Sequence, residues 1–292
     1  MCLCAFVVKN QPANSPNPIM TYHIPTLPIG VALLLATTFS TLSAEERAKP
    51  KITISKETTF ITGPLNAEGG LDFVAAINQR CSKGITIENN AAVPFWRAVG
   101  PKHIDKKVRR RYFELLGIDE PSETGDYLVP LSDFLAGRSD DEKQREDAYN
   151  QFKRSQERPW TKEQLPAITE FLKRNRKPLA AVMAAVERPR FYSPVVAEDG
   201  KPLAHMTFCI GLSEAREASQ QLIALAMLRL GRRDFDGAWQ AIMAELQFAR
   251  MQSQGPFLVD QMIARMYERN AYSAVAVLSQ CEVVTAAKAR AF

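Results

Sequence analysis

The chain has 292 residues, 46% of them hydrophobic and 24% charged, with 37 Lys and Arg against 32 Asp and Glu. That composition is ordinary for a folded globular protein, and a net charge of +5 drawn from mixed charges does not call for a nucleic-acid partner. It excludes a disordered chain, and five cysteines in this length exclude a small disulfide scaffold.

No Lys, Arg, Asp or Glu stands between Asn10 and Ala44, and the densest apolar run there is Ile29 to Ala36. That run falls short of the roughly 20 apolar residues of a spanning helix, and Thr37, Thr38, Ser40 and Thr41 dilute it. Leu42-Ser43-Ala44 before Glu45-Glu46 reads as a cleavage site. Residues 1–44 are therefore expected to be a cleaved export signal, with an uncleaved N-terminal anchor as the alternative; Met20 offers a second possible start.

Residues 45–57 read as a polar linker. Ile52-Thr-Ile54 and the β-branched run Thr58 to Leu65 predict a short β or loop element near the mature N-terminus. From Leu71 the apolar spacing turns helical, and Gly84, Gly100 and Gly117 each close a helical pattern. Thr86 with Glu88 is expected to open the second helix and Pro101 the third, where Ile104, Val108, Tyr112, Leu115 and Leu116 share one face.

The region 58–138 thus forms an N-terminal helical part, ending in a loop-rich stretch whose SETGDYLVP suggests a strand. Residues 139–211 form a polar, loop-rich middle. Within it, Asp140 to Arg158 reads as an exposed helix or a flexible segment, Thr161 with Gln164 as a capping box, and Pro178 as the start of a small apolar helix. Residues 212–292 are the clearest: Gln221 to Leu230 is apolar almost all round, so a buried helix is expected, closed by Gly231. A second helix carries the stripe Phe235, Ala238, Trp239, Ile242, Leu246 and Ala249. A third follows Gly255-Pro256, with Val259, Met262, Ile263 and Met266 expected on its inner side. The last residues, VVTAAKARAF, read as a helix cut short of its cap.

The expected fold is mainly α: an array of helical hairpins with repeat-like packing. The stretch ALAMLRLGRRDFDGAWQAIMAELQFAR resembles a tetratricopeptide unit, although two extra residues separate Gly231 from Ala238 and no second copy recurs at a fixed period. The segment ITGPLNAEGGLDFVAAINQRCSKGITIENNAAV, Ile61 to Val93, resembles a family of uncharacterised exported proteins of planctomycete bacteria. The stretch from Arg229 to Pro256 is similar to their later part. Ile87 stands where that pattern has Pro, and Pro94 interrupts its second helix. The resemblance implies export and a helical body, and implies no reaction.

Motifs of chemistry are sparse. The run KHIDKKVRRR offers a possible anion-contact face of Lys102, Lys106, Arg109 and Arg110, opposite Ile104 and Tyr112; a plain solvated face has the same pattern. His205 and Cys209 share a face at spacing four, yet a metal site needs three or four ligands and only His103 is left as a mature histidine. Cys81, Cys209 and Cys281 form no CxxC pair. Glu88-Asn89-Asn90 and Thr124-Gly125-Asp126 are explained as capping and turn residues, and Phe95, Trp96, Phe235 and Trp239 as core rather than a ligand groove.

No catalytic, cofactor or metal residues are assigned. The function expected is a non-catalytic interaction or scaffolding role at the cell envelope, with a protein partner and no nucleic acid. The alternatives are an unrecognised envelope hydrolase, or a peripheral binder of anionic lipid or wall polymer through Lys102–Arg111.

Overall fold

Helix α1 spans Phe73–Cys81, α2 Ala92–Val99, α3 Lys106–Leu116, α4 Leu131–Ala136 and α5 Glu142–Arg154. They are followed by α6 Pro166–Arg174, α7 Arg176–Ala185, α8 Leu212–Gly231, α9 Phe235–Gln252 and α10 Leu258–Ser279. This computed structural model describes residues 53–138, 141–197 and 210–281, and among them no strand forms. The leader, His205, Cys209 and VVTAAKARAF lie outside the described residues.

Aspartates start four of these helices. Asp72, Asp105, Asp141 and Asp234 each accept a hydrogen bond from a first-turn N–H that has no intrahelical partner. Gly117 ends α3 at φ 80°, and the N–H groups of Gly117 and Ile118 bond back to Glu114 and Phe113, a Schellman ending. The second helix begins later than Thr86: that threonine and Asn89 close a turn, and Pro94 falls in the first turn of α2, where its missing N–H costs nothing. Pro101 likewise precedes α3 by a turn rather than opening it, because Asp105 supplies the cap. The polar stretch after residue 140 is helical, held by Ala148 and Phe152 at spacing four.

The β-branched run near residue 58 finds no partner strand and remains a loop, with one isolated bridge between Leu65 and Leu71. SETGDYLVP is also a loop, leading into α4, a short helix that buries Leu131 and Leu135.

Helices α8, α9 and α10 form an antiparallel three-helix set. About 30 Å long, α8 runs through two apolar cores. Its first half packs with α2, α3 and α7 around Trp96, Tyr112 and Phe248, and its second half with α4, α5 and α6 around Phe152, Trp160 and Phe171. Alanines 218, 224, 241, 249, 271 and 274, each at most 1% exposed, let the three helices approach closely. The inner side of α10 is therefore Ala264, Tyr267, Ala271, Ala274 and Leu278, not the expected Met262 and Met266, which face out.

Three buried asparagines hold the extended connections of this helical protein. Asn78 donates to the Val195 carbonyl and accepts from its N–H, at 2.7 and 2.9 Å. Asn90 does the same for Tyr192, at 3.0 and 2.9 Å, and Asn175 for Val129, at 2.8 Å both ways. Each amide supplies the donor and acceptor that a neighbouring strand would otherwise give, so buried loop backbone is satisfied without a sheet.

Candidate functional site

The strap Phe191–Val195, clamped by Asn78 and Asn90, closes a cleft over Trp96 together with the start of α8, the end of α9 and the start of α10. The enclosed space is about 50 Å³, room for a few water molecules. At its floor the Trp96 indole N–H donates to the Tyr112 hydroxyl at 2.8 Å, and that hydroxyl lies 2.7 Å from Ser193 Oγ. Burial pushes the Tyr112 phenol well above its ordinary range, so it is neutral and offers Ser193 no base. Burial raises Tyr192 to about 12 and also raises the Cys81 thiol, which leaves that thiol a poor nucleophile. Among the described residues no histidine lines this cleft. The network ties helix to strap.

Phe95 and Trp96 border the cleft from the first core, while Phe235 and Trp239 pack on the second, so the four aromatics do not form one groove. Asn90 of the ENN triplet does more than cap: it reaches Tyr192, 102 residues away. Asp126 of the TGD triplet pairs with Arg174 at 2.9 Å.

The basic run is reorganised. Arg109, expected on the exposed face, is 4% exposed. It donates to the Ile104 carbonyl at 2.9 Å and pairs with Glu123 at 2.8 Å and Glu120 at 3.5 Å. The connection after α3 brings both acids back over the helix, which an isolated helical wheel cannot show. Lys102 precedes the helix and pairs with Asp133 at 2.6 Å; Lys106 pairs with Glu123 at 3.0 Å and Arg110 with Glu114 at 3.0 Å. Hydrogen bonding from Lys106, then from Arg109, holds the Glu123 carboxyl below its usual value, and Lys102 does so for Asp133. All four cations thus already face carboxylates. His103 is exposed on the turn between α2 and α3.

One polar group had no signal in the sequence. Glu245 of α9 is wholly buried, accepts from Ser219 Oγ of α8 at 2.5 Å, and is raised by burial to about 8. Its second oxygen and the Tyr267 hydroxyl have no hydrogen-bond partner among the described residues. Burial favours the neutral carboxyl, and Glu245 is not among the residues that line the Trp96 cleft. Among the described residues no cluster of His, Cys, Asp and Glu could hold a metal ion, and no helix is long and apolar enough to cross a membrane.

No protein-family model matches this chain, and no curated protein or solved structure does so either.

Proposed function

We propose that this chain is an exported, non-catalytic interaction protein that docks an amphipathic helix of another protein on the outer side of α10. The reading rests on one observation: Leu258, Met262, Met266 and Tyr272 of α10 are 77, 65, 36 and 61% exposed. At 100° per residue they fall within about 120° of the helix surface, a contiguous stripe roughly 21 Å long. Scattered exposed apolar residues need no explanation, but four of them grouped with Arg265 and Arg269 on one face of the last described helix do. Full burial of an exposed side chain of this size gains roughly 1.5–3 kcal/mol, and Met266, already mostly covered, gains less.

Charge selects the occupant. Arg265 and Arg269 lie within the same stripe, and among the described residues the carboxylate that Arg265 reaches is Glu268 of its own helix, at 2.7 Å. A docked helix with acidic residues beside its apolar stripe meets both needs, in the helix-in-groove mode. The setting at the cell envelope is supported by the reading of residues 1–44 as an export signal or anchor and by the resemblance of Ile61–Val93 to exported planctomycete proteins.

The test uses two synthetic helical peptides with the same leucine stripe, one flanked by Glu and one by Lys. Micromolar binding of the Glu peptide, at least about tenfold weaker binding of the Lys peptide, and loss of both in Met262→Glu/Met266→Glu support the reading. Binding by neither peptide, or binding indifferent to the double substitution, overturns it. So does self-association of the chain through this face in sedimentation. Export is checked separately by a mature N-terminus near Glu45.

A further inference from the structure

We propose that the elbow between α6 and α7 is a binding site for a multiply charged phosphate, a polyphosphate chain or a phosphate ester. The helix breaks at Asn175, which is fully buried and occupied with both polar groups of Val129. The clamp fixes the loop before α4 against the elbow and turns four neighbours of Asn175 outward: Lys173, Arg174, Arg176 and Lys177. Opposite them, at the end of α4, the Arg138 guanidinium lies 4.7 Å above the Phe134 ring, and that ring packs 5.2 Å from Phe171. Among the described residues Arg138 is thus placed by a cation–π contact, with no carboxylate beside it.

These walls enclose an open concavity of about 470 Å³ that also contains Asp126 and Glu170. Five cations there face two carboxylates. Asp126 is shared by Arg174 at 2.9 Å and Lys177 at 3.8 Å, and Glu170 reaches Lys173 at 3.9 Å. Arg138 and Arg176 have no carboxylate partner among the described residues. The contrast with the Lys102–Arg111 run is direct, since every cation named there already has an acid.

A concave surface with excess charge of one sign focuses its field and raises the local concentration of counter-ions. Guanidinium groups present forked donors that match phosphate oxygens two at a time. The volume exceeds what one inorganic phosphate fills, and its cations come from both sides of the elbow and from the end of α4. A ligand with several charges along its length therefore fits better than a single small anion.

The experiment is calorimetric titration of the mature protein with inorganic tripolyphosphate at about 50 and about 200 mM salt. The expected dissociation constant is about 0.1 mM at low salt, weakening severalfold at the higher salt. Arg138→Gln/Arg176→Gln is expected to weaken it at least about tenfold, while Lys102→Gln/Arg110→Gln changes it less than about twofold. All four positions are exposed, so folding is retained, and circular dichroism checks it. Equal losses in the two double variants, or no heat at about 10 mM ligand, overturn the proposal. Binding to phosphatidylglycerol vesicles without affinity for tripolyphosphate also overturns it, in favour of a flat membrane contact. Because the elbow is remote in sequence from the α10 stripe, the peptide assay and this one fail independently.

Discussion

Replacing Glu245 by Gln should stabilise this protein at neutral pH. In the fold the Glu245 carboxyl, enclosed by Ser219 of α8 and Tyr267 of α10, keeps its proton until about pH 8; its ordinary value is 4.5. Between those values the native state binds a proton that the unfolded state has released, so stability falls as pH rises through the window. Each unit removes about 1.4 kcal/mol, which makes the penalty at pH 7 about 3 kcal/mol. Gln keeps an oxygen to accept from Ser219, has nearly the same volume, and cannot ionise. Urea denaturation of both proteins from pH 4.5 to 9 measures the difference. The Gln variant should match wild type near pH 4.5 and exceed it by about 3 kcal/mol at pH 7, the gain levelling off above pH 8. A difference that does not vary with pH, or a Gln variant less stable at pH 8, would refute the assignment of a buried neutral acid.

Asn175→Ala should cost about 1–3 kcal/mol in urea denaturation, because it leaves the part-buried N–H of Val129 without its partner and its carbonyl with only the 3.4 Å bond from Gln221. Gly231→Ala should cost about 3 kcal/mol or more, since an added Cβ would run into the backbone carbonyl of Trp160; Gly137→Ala, with open space and an ordinary φ, should stay within about 0.5 kcal/mol of wild type. Tyr112→Phe should cost about 1–3 kcal/mol by leaving the Trp96 indole N–H and Ser193 without their shared hydroxyl, and near-ultraviolet dichroism of the tryptophan should change with it.

Local chemistry was legible in the residues themselves. The Schellman glycine after α3, the stripe of α3 and the apolar girth of α8 all follow from spacing and turn preference, which depend on neighbours within a few residues. The helical class was therefore readable before any contact was known. The β-branched run at residue 58, read as a β or loop element, is a loop: strand propensity describes a pleated, half-buried surface, and among the described residues no partner strand creates one.

What the tertiary structure decided is everything that depends on partners far away in sequence. Arg109 is buried because Glu120 and Glu123 return over α3, and a helical wheel of KKVRRRYFELL holds no record of that loop. Asn78, Asn90 and Asn175 look like turn residues, and become backbone clamps only when Val195, Tyr192 and Val129 arrive beside them. The face of α10 was misread for the same reason. Hydrophobicity alone places Met262 and Met266 inward, but close packing against the alanines of α9 selects the small side Ala264, Ala271 and Ala274, and turns the larger apolar side chains to the surface. The sites proposed here, the α10 stripe and the α6–α7 elbow, both come from that second level. Periodicity says which residues share a face; only packing says which face is left uncovered and which charges are left unpaired.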